Sequence, residues 1–320
     1  MRRYLVLPLL IISLTGCTPP KTNGANSNSG NSHKLTLIEA KKGFKTNPIP
    51  ENNKKEPVDN PPPDLFRLIK YPSPAGDLAA YLTRDPGDGT KRPAIIWITG
   101  GDCNSIGDVW SPSPRDNDQT AAAFRNVGIV MMYPSLRGGN ENPGIKEGFY
   151  GEVDDVLAAV KYLEKQPYVD PKRIYLGGHS TGGTLVMLVA ESSERFRAVF
   201  SFGPVGDVSG YGTDSGFLPI DMSNQKEIEA RSPGYWLSCI KSPTWVMEGA
   251  SGQVSNISSL QQMKAATDNP YIHFVAIDNG DHFTSLAPTC ELIAQQILND
   301  KDFACNITLT PQEVNDNFRK

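Results

Sequence analysis

The stretch LGGHSTGGTL, Leu176–Leu185, places four glycines around a single serine. A short branched and apolar run, Arg173–Leu176, leads into it, and an apolar pattern with helical spacing, Thr181–Ser192, follows it. Two glycines are enough for a turn, so four indicate that other groups approach the chain very closely at Ser180. The change of period from strand to helix predicts that Ser180 lies on the turn between the two elements.

The central five residues, Gly178-His179-Ser180-Thr181-Gly182, have the form Gly-x-Ser-x-Gly. With a strand before it and a helix after it, this pattern is the nucleophile elbow of the α/β-hydrolases. Side chains two positions before and after the serine would collide on so tight a turn. The hydroxyl is then held at a helix N-terminus, where free N–H groups favour developing negative charge. A glycine-rich turn without chemistry is the alternative.

Strand and helix patterns alternate along most of the chain. The strand-like runs are 65–71, 78–83, 94–99, 128–133, 173–176, 198–202, 244–247 and 271–277. The helical patterns are 152–165, 181–192, 255–266 and 286–298. This alternation predicts an α/β-hydrolase fold, with a mostly parallel twisted sheet and helices on both faces. We expect one catalytic domain over residues 64–303, followed by a polar tail over residues 304–320.

A longer likeness surrounds the serine. The segment SLRGGNENPGIKEGFYGEVDDVLAAVKYLEKQPYVDPKRIYLGGHSTGG resembles the catalytic domain of the prolyl oligopeptidase-like (S9) family, and RSPGYW, IKSPTWVMEG and GDHFT extend the likeness. The resemblance covers about residues 95–298 and implies a serine hydrolase that acts on a peptide or an ester. A β-propeller, which large members of that family carry, is not apparent in front of the domain.

A serine nucleophile needs a base, and the elbow order is serine, acid, histidine. His273 and His282 are the histidines that follow Ser180. His273 lies inside a strand-like run, whereas His282 follows the last strand, where the family resemblance places the base. We therefore expect His282 to accept the proton of Ser180. His179, beside the serine, is expected to pack or to form hydrogen bonds beneath the elbow.

The acid is where this sequence departs from the family pattern. Members carry an aspartate shortly after the seventh strand, and the corresponding position here is Gly252. Glu248, at the end of that strand, is the favoured substitute because its longer side chain can extend to the His282 loop. Asp207, after the preceding strand, is the alternative acid. Either carboxylate has a possible structural role as a cap.

An oxyanion hole needs two N–H donors. The residue after the nucleophile, Thr181, supplies the first. The second is expected from the loop after the strand 94–99, where two glycines let the backbone approach the substrate, so the donor is the N–H of Gly101 or Asp102.

The first residues have the layout of an export signal. A basic head is followed by an apolar stretch and by Leu14-Thr15-Gly16-Cys17, which resembles the processing box of bacterial lipoproteins. Residues 1–16 are therefore expected to be a signal peptide, and Cys17 the lipidated residue, with anchoring in the cell envelope (in the outer membrane of a Gram-negative cell). Residues 17–63, rich in Asn, Ser, Pro and Lys, are expected to form a disordered tether.

Composition excludes several classes of function. The 320 residues have a formal net charge of −4 and no basic patch stands out, so a nucleic-acid partner has no electrostatic support. No metal-binding cluster or cofactor fingerprint is apparent. Besides Cys17 there are four cysteines, which allow two disulfides in an exported protein; four free thiols are equally compatible with the sequence. These cysteines are Cys103, Cys239, Cys290 and Cys305, and the last two are closest in sequence.

Two functional hypotheses follow. The first is a membrane-tethered serine hydrolase that cleaves a small-molecule ester or a short peptide through an acyl-enzyme on Ser180. The second is a catalytically impaired hydrolase fold that serves as a binding or scaffolding module, supported by the displaced acid. The sequence leaves open the substrate, the oligomeric state and the choice between ester and peptide.

Overall fold

One sheet organises the protein. In the computed structural model, which describes residues 36–50, 55–212 and 218–318, eight strands form this sheet in the order β1-β2-β4-β3-β5-β6-β7-β8. The strands are β1 Phe66–Ser73, β2 Gly76–Thr83, β3 Arg92–Ile98, β4 Val130–Pro134, β5 Val169–His179, β6 Val199–Phe202, β7 Thr244–Gly249 and β8 Ile272–Ile277.

The strands from β4 to β8 across the sheet run parallel, whereas β1 and β2 form an antiparallel hairpin at one edge. The central strands β6 and β7 are buried along their whole length. This burial explains why their sequences are nearly continuous apolar runs rather than alternating ones. In this register the carboxyl ends of β3, β5, β6 and β7 meet at one edge, and His179 pairs with Phe202 there.

Helices cover both faces of the sheet. They are α1 Leu37–Lys42, α2 Ala122–Asn126, α3 Glu152–Leu163, α4 Thr181–Ser192, α5 Gln225–Glu229, α6 Ile257–Ala266, α7 Leu286–Asn299 and α8 Pro311–Phe318. Leu176 of β5 packs in one core with residues of α3, α4 and α6. Its neighbour Tyr175 packs in the other core with residues of α2, α7 and α8. This alternation is that of a strand covered on both sides. The predicted α/β-hydrolase fold is therefore confirmed.

The described part of the segment before the domain contains a short helix and makes contacts with the domain. Several described residues of the expected tether, residues 17–63, contact the domain; we call its described residues, 36–50 and 55–63, the N-terminal strap. Leu37 is fully buried, and α1 begins with a capping box of Thr36 and Glu39. Further along, the Thr46 hydroxyl donates to Glu227 at 2.8 Å. Polar side chains of this segment, whose composition predicts disorder, thus form hydrogen bonds to the domain.

The expected polar tail, residues 304–320, also packs on the domain where it is described. Ile307, Leu309 and Val314 are buried beside α7 and the sheet. On α8, the Asn315 side-chain amide donates to the Ala276 carbonyl and accepts from the Asp278 N–H. It therefore satisfies backbone groups at the end of β8, the outer strand of the sheet, which edge strands otherwise leave unpaired.

The cysteines of the described residues are Cys103, Cys239, Cys290 and Cys305, and all four are free thiols. The disulfides that the sequence allows are thus not formed, and the pair closest in sequence, Cys290 and Cys305, is not joined. Cys17 and the expected signal peptide lie outside the described residues. Among the described helices, none combines the length and the apolar character needed to cross a membrane. The described residues contain no cluster of three or more His, Cys, Asp or Glu side chains placed to hold a metal ion.

Candidate active site

Ser180 lies on the predicted turn, directly between β5 and α4. Its backbone has φ 57° and ψ −116°, a conformation that a residue with a side chain rarely adopts. The turn is held at both ends, because the Ser180 N–H donates to the Phe202 carbonyl at 2.8 Å and the Ser180 carbonyl accepts from the Thr184 N–H at 2.9 Å. Strain of this kind persists where surrounding contacts over-determine it, which is common at functional sites.

The glycines of the elbow are required by close backbone contacts. A Cβ atom on Gly178 would lie 2.6 Å from the Gly182 carbonyl oxygen, and one on Gly182 would overlap the Ile98 carbonyl. A Cβ on Gly183 would overlap the Phe202 carbonyl, and one on Gly177 would lie 2.6 Å from the Trp97 ring. The elbow helix therefore approaches the neighbouring strands as closely as the glycine spacing predicts.

His282 and Glu248 are brought together. His282 follows β8 and its Nδ1 lies 3.0 Å from the Glu248 Oε2, near the end of β7. Both side chains are buried, with 5% and 1% of their surface exposed. The other carboxylate oxygen, Oε1, accepts from the Gly249 N–H at 2.9 Å, which fixes the orientation of the carboxylate. A buried carboxylate on Nδ1 selects the tautomer in which Nε2 is free to accept a proton.

The imidazole and the elbow both lie next to the same short connection, residues 202–203. Phe202 binds the Ser180 N–H, and the next residue, Gly203, leaves the space that the imidazole fills. A Cβ on Gly203 would overlap the His282 ring and would lie 2.8 Å from the Glu248 Oε2. Asn256 holds this connection by donating from its side chain to the Gly203 carbonyl at 2.8 Å. The sequence contains no pattern that singles out Gly203 or Asn256.

Asp207, the alternative acid, is engaged elsewhere. It begins the short 3₁₀ helix Val208–Tyr211, and its Oδ1 accepts from the Ser209 N–H at 2.8 Å and the Ser209 hydroxyl at 2.6 Å. This is the capping role that was the structural alternative for a carboxylate at this position. Gly252, at the family's usual acid position, has φ +84°, and a Cβ there would lie 2.8 Å from the Asp281 Cβ. The geometry thus favours Glu248 over Asp207.

The loop after β3 lies against the elbow. The Thr181 hydroxyl donates to the Gly101 carbonyl at 2.9 Å, which joins the first residue of α4 to this loop. The Gly100 N–H donates to the Gln119 side chain at 3.1 Å. The N–H groups of Gly101 and Asp102 stay the predicted candidates for the second donor. The Asp102 carboxylate accepts from the Ser105 hydroxyl at 2.7 Å and pairs with Lys146 at 3.0 Å, which braces the loop.

A buried ion pair supports the loop that follows β4. The Arg137 guanidinium donates to both carboxylate oxygens of Asp155 on α3, at 2.9 and 3.0 Å, and also to Glu147 at 2.6 Å. These charges hold the pKa of Arg137 above its ordinary value despite burial, which opposes the charge. Arg137 thus anchors the loop, and Asp155 is fully buried.

The two other histidines of the described residues, His273 and His179, lie at different places in the sheet. His273 lies on β8 and stacks on Trp245, with ring centroids 4.8 Å apart. His179 is fully buried beneath the elbow, where its ring nitrogens contact the His282 carbonyl and Gln119. Burial and the nearby His282 ring lower the pKa of His179 to about 3. The expectation that His179 forms hydrogen bonds beneath the elbow agrees with these contacts.

Comparison with known proteins finds sequence similarity around this site. Residues 115–250, which include Ser180 and Glu248, match the sequence model of the prolyl oligopeptidase family. The chain is 26% identical over 152 residues to the uncharacterized peptidase YuxL of Bacillus subtilis, covering 42% of this chain and 23% of that protein. It is 32% identical over 77 residues to the inactive dipeptidyl peptidase 10 of Rattus norvegicus, covering 24% of this chain and 10% of that protein. The match thus spans less than a quarter of either relative.

Among solved structures, the acylaminoacyl peptidase of Pyrococcus horikoshii superposes with a TM-score of 0.60 at 16% identity. The superposition covers 78% of this chain and 43% of that chain. At this identity the likeness concerns the fold. The sheet and the elbow thus have the α/β-hydrolase fold, and residues 115–250 are similar to the prolyl oligopeptidase family.

Proposed function

We propose that the protein is a serine hydrolase that cleaves peptide bonds through an acyl-enzyme on Ser180. The observation that carries the proposal is the pairing of His282 with the buried Glu248 beside the connection that holds the Ser180 backbone. The match of residues 115–250 to a peptidase family supports a peptide as the substrate class. Small esters form a second class of substrate, because an ester leaving group needs less protonation than an amine.

In the proposed reaction the Ser180 oxygen attacks the carbonyl carbon while His282 accepts the hydroxyl proton at Nε2. Glu248 holds the Nδ1–H and stabilises the imidazolium. The negative oxygen of the tetrahedral intermediate is bound by the Thr181 N–H and by the N–H of Gly101 or Asp102. His282 then returns its proton to the leaving amine or alcohol. Water, activated by His282, attacks the acyl-enzyme and releases Ser180.

Labelling with a fluorophosphonate probe tests the nucleophile. Wild-type protein should label and Ser180→Ala should not. Since Ser192 lies on the same helix and donates to the Leu188 carbonyl, Ser192→Ala is a matched control that should label as wild type does. Folded wild-type protein that fails to label at mildly alkaline pH would favour the second hypothesis, a binding module. That hypothesis rested on the displaced acid, for which Glu248 offers a substitute.

We further propose that the chain is exported and anchored to the cell envelope by a lipid on Cys17. The proposal rests on the signal-like residues 1–16 and on Leu14-Thr15-Gly16-Cys17. Metabolic labelling with palmitate should mark the wild-type protein in the membrane fraction, and Cys17→Ser should abolish the label. The Cys305→Ser variant, which removes another thiol, is the matched control and should keep the lipid. Equal labelling of the Cys17→Ser variant would contradict the anchor.

A panel of substrates decides between the two bond types. Aminoacyl and peptidyl amides are compared with p-nitrophenyl esters of increasing acyl length, and kcat/KM is measured for each. Turnover of amides supports a peptidase, whereas turnover confined to esters supports a carboxylesterase. Ser180→Ala serves as the blank in both series.

A further inference from the structure

One buried imidazole touches both loops that the proposed reaction uses. His179 is the last residue of β5 and is fully buried. Its Nε2 lies 2.9 Å from the backbone carbonyl oxygen of His282. Its ring centroid lies 4.5 Å from that of His282 and 5.5 Å from that of Phe283. The residue before the nucleophile thus contacts the backbone and the side chain of the proposed base.

The opposite side of the same ring faces the loop after β3. His179 Nδ1 lies 3.2 Å from the Gln119 Oε1, which accepts from the Gly100 N–H at 3.1 Å. A Cβ on Gly100 would lie 3.0 Å from His179 Nδ1 and 3.1 Å from the Ser180 Cβ. Gln119 is itself held, because its carbonyl accepts from the Trp97 indole at 2.8 Å. The donor loop, the ring and the nucleophile are thus in direct contact.

The strands that precede the two loops are not neighbours in the sheet. The strands β3 and β8, which carry the two loops, are separated by β5, β6 and β7. No backbone ladder therefore pairs the two strands directly. The His179 ring, on the strand next to β3, contacts both loops, so it relates their positions to that of Ser180. Displacement of reacting groups by about 1 Å reduces the rate of an enzyme by about 10²-fold.

The protonation state follows from the contacts. The His282 carbonyl only accepts, so Nε2 of His179 carries the ring proton. Burial and the neighbouring His282 ring lower the pKa of His179 to about 3, so the ring stays neutral at physiological pH. In the neutral ring Nδ1 has no proton to donate to the Gln119 oxygen, so that contact is not a hydrogen bond, and the bond to the His282 carbonyl is the one that orients the ring.

We propose that His179 is a positioning residue, whose Nε2–H holds the His282 loop in register with Ser180 and the donor loop at Gly100. The proposal rests on the proposed function of Ser180 and adds to it a neutral histidine that takes no proton during the reaction.

Replacements of His179 that keep a donor near one ring nitrogen, or near neither, test this role. The His179→Gln amide can donate from near the Nε2 position, His179→Asn only from near Nδ1, and His179→Phe from neither. We expect kcat to fall about 30- to 100-fold in the Asn and Phe variants, with KM within about twofold of wild type, and Gln to restore kcat to within about fivefold. His273→Phe, which replaces a histidine stacked on Trp245, is the control and should leave kcat unchanged.

A folded His179→Phe variant with kcat within twofold of wild type would overturn the proposal, and so would equal losses in the Gln and Asn variants. If the variants do not fold, ¹⁵N NMR of the wild-type ring decides. The His179 signal should be that of a neutral Nε2–H tautomer from pH 5 to pH 8, and titration near pH 6.5 would overturn the proposal. Failure of wild-type protein to label with fluorophosphonate would reject the proposed function instead, since the NMR result does not depend on activity.

Discussion

Replacing Glu248 by glutamine is the sharpest test of the site, because the structure defines how the amide would be oriented. Glu248 Oε1 accepts from the Gly249 N–H at 2.9 Å, and Oε2 faces His282 Nδ1 at 3.0 Å. The glutamine in Glu248→Gln keeps its oxygen on the Gly249 N–H and therefore turns its NH₂ group toward Nδ1. The amide then donates to Nδ1, so the ring proton moves to Nε2, where the Ser180 proton has to be accepted.

The expected loss follows from this wrong tautomer. The equivalent change of acid to amide in a serine protease lowers kcat by about 10⁴-fold, and at about 1.36 kcal/mol per factor of ten this is about 5 kcal/mol of transition-state stabilisation. Glu248 is 1% exposed, so water cannot readily replace the carboxylate. We expect kcat to fall by about 10³- to 10⁴-fold, with KM changed little.

The assay measures kcat and KM on a p-nitrophenyl ester and, separately, the rate of fluorophosphonate labelling. Asp207→Asn is the matched control, because Asp207 caps a 3₁₀ helix and lies outside the His282 contacts; it should keep kcat within about twofold. Thermal unfolding shows whether each variant is folded. The reasoning is refuted if folded Glu248→Gln keeps more than a tenth of the wild-type kcat, or if Asp207→Asn loses more activity than it does.

Three further predictions concern stability. Glu191 is buried with neither carboxylate oxygen hydrogen-bonded in the described structure, and burial raises its pKa well above the ordinary value. Because the folded state binds the proton more tightly than the unfolded state, the free energy of unfolding declines by up to about 1.4 kcal/mol per pH unit above pH ~4.3. Glu191→Gln should remove that decline in urea unfolding between pH 5 and pH 8. Glu227→Gln leaves the buried Arg231 without its ion-pair partner and should lower the free energy of unfolding by about 3–5 kcal/mol. An unchanged urea midpoint would contradict the stabilising role of this ion pair. Deletion of residues 307–320 exposes the outer edge of the sheet and should lower Tm and cause aggregation, which light scattering detects. A truncated protein that stays monomeric with an unchanged Tm would contradict the packing of that segment.

The local sequence was sufficient to predict the elbow and the strands. The conformation of Ser180 depends on neighbours within a few residues, and glycines are the residues that so close a backbone contact permits. The strands β3, β6 and β7 are predictable for a similar reason, since burial on both faces requires continuous apolar runs. The prediction of His282 as the base rests on the chain order of serine, acid and histidine and on its place after the last strand, where the resembled family carries its base.

The contacts of the N-terminal strap and of the C-terminal segment with the domain are not predictable from the local sequence. Their composition is polar, and polar composition indicates disorder only where the chain has no partner for its polar groups. Here Glu227 provides the partner for Thr46, and the end of β8 provides the partner for Asn315. Those partners lie 181 and 39 residues away in the sequence, so no local pattern reveals them.

By itself, then, the sequence determined where the strained turn with the proposed nucleophile lies and which fold carries it, because such a turn between buried elements requires particular residues in its immediate vicinity. Only the tertiary structure decided which carboxylate meets His282, since Glu248 lies at the end of β7, Asp207 follows β6, and the two contact different residues. Only the tertiary structure revealed that the His179 ring lies between two loops carried by separate strands. Contacts between distant segments depend on how the sheet is ordered, and residue spacing along the chain does not encode that order.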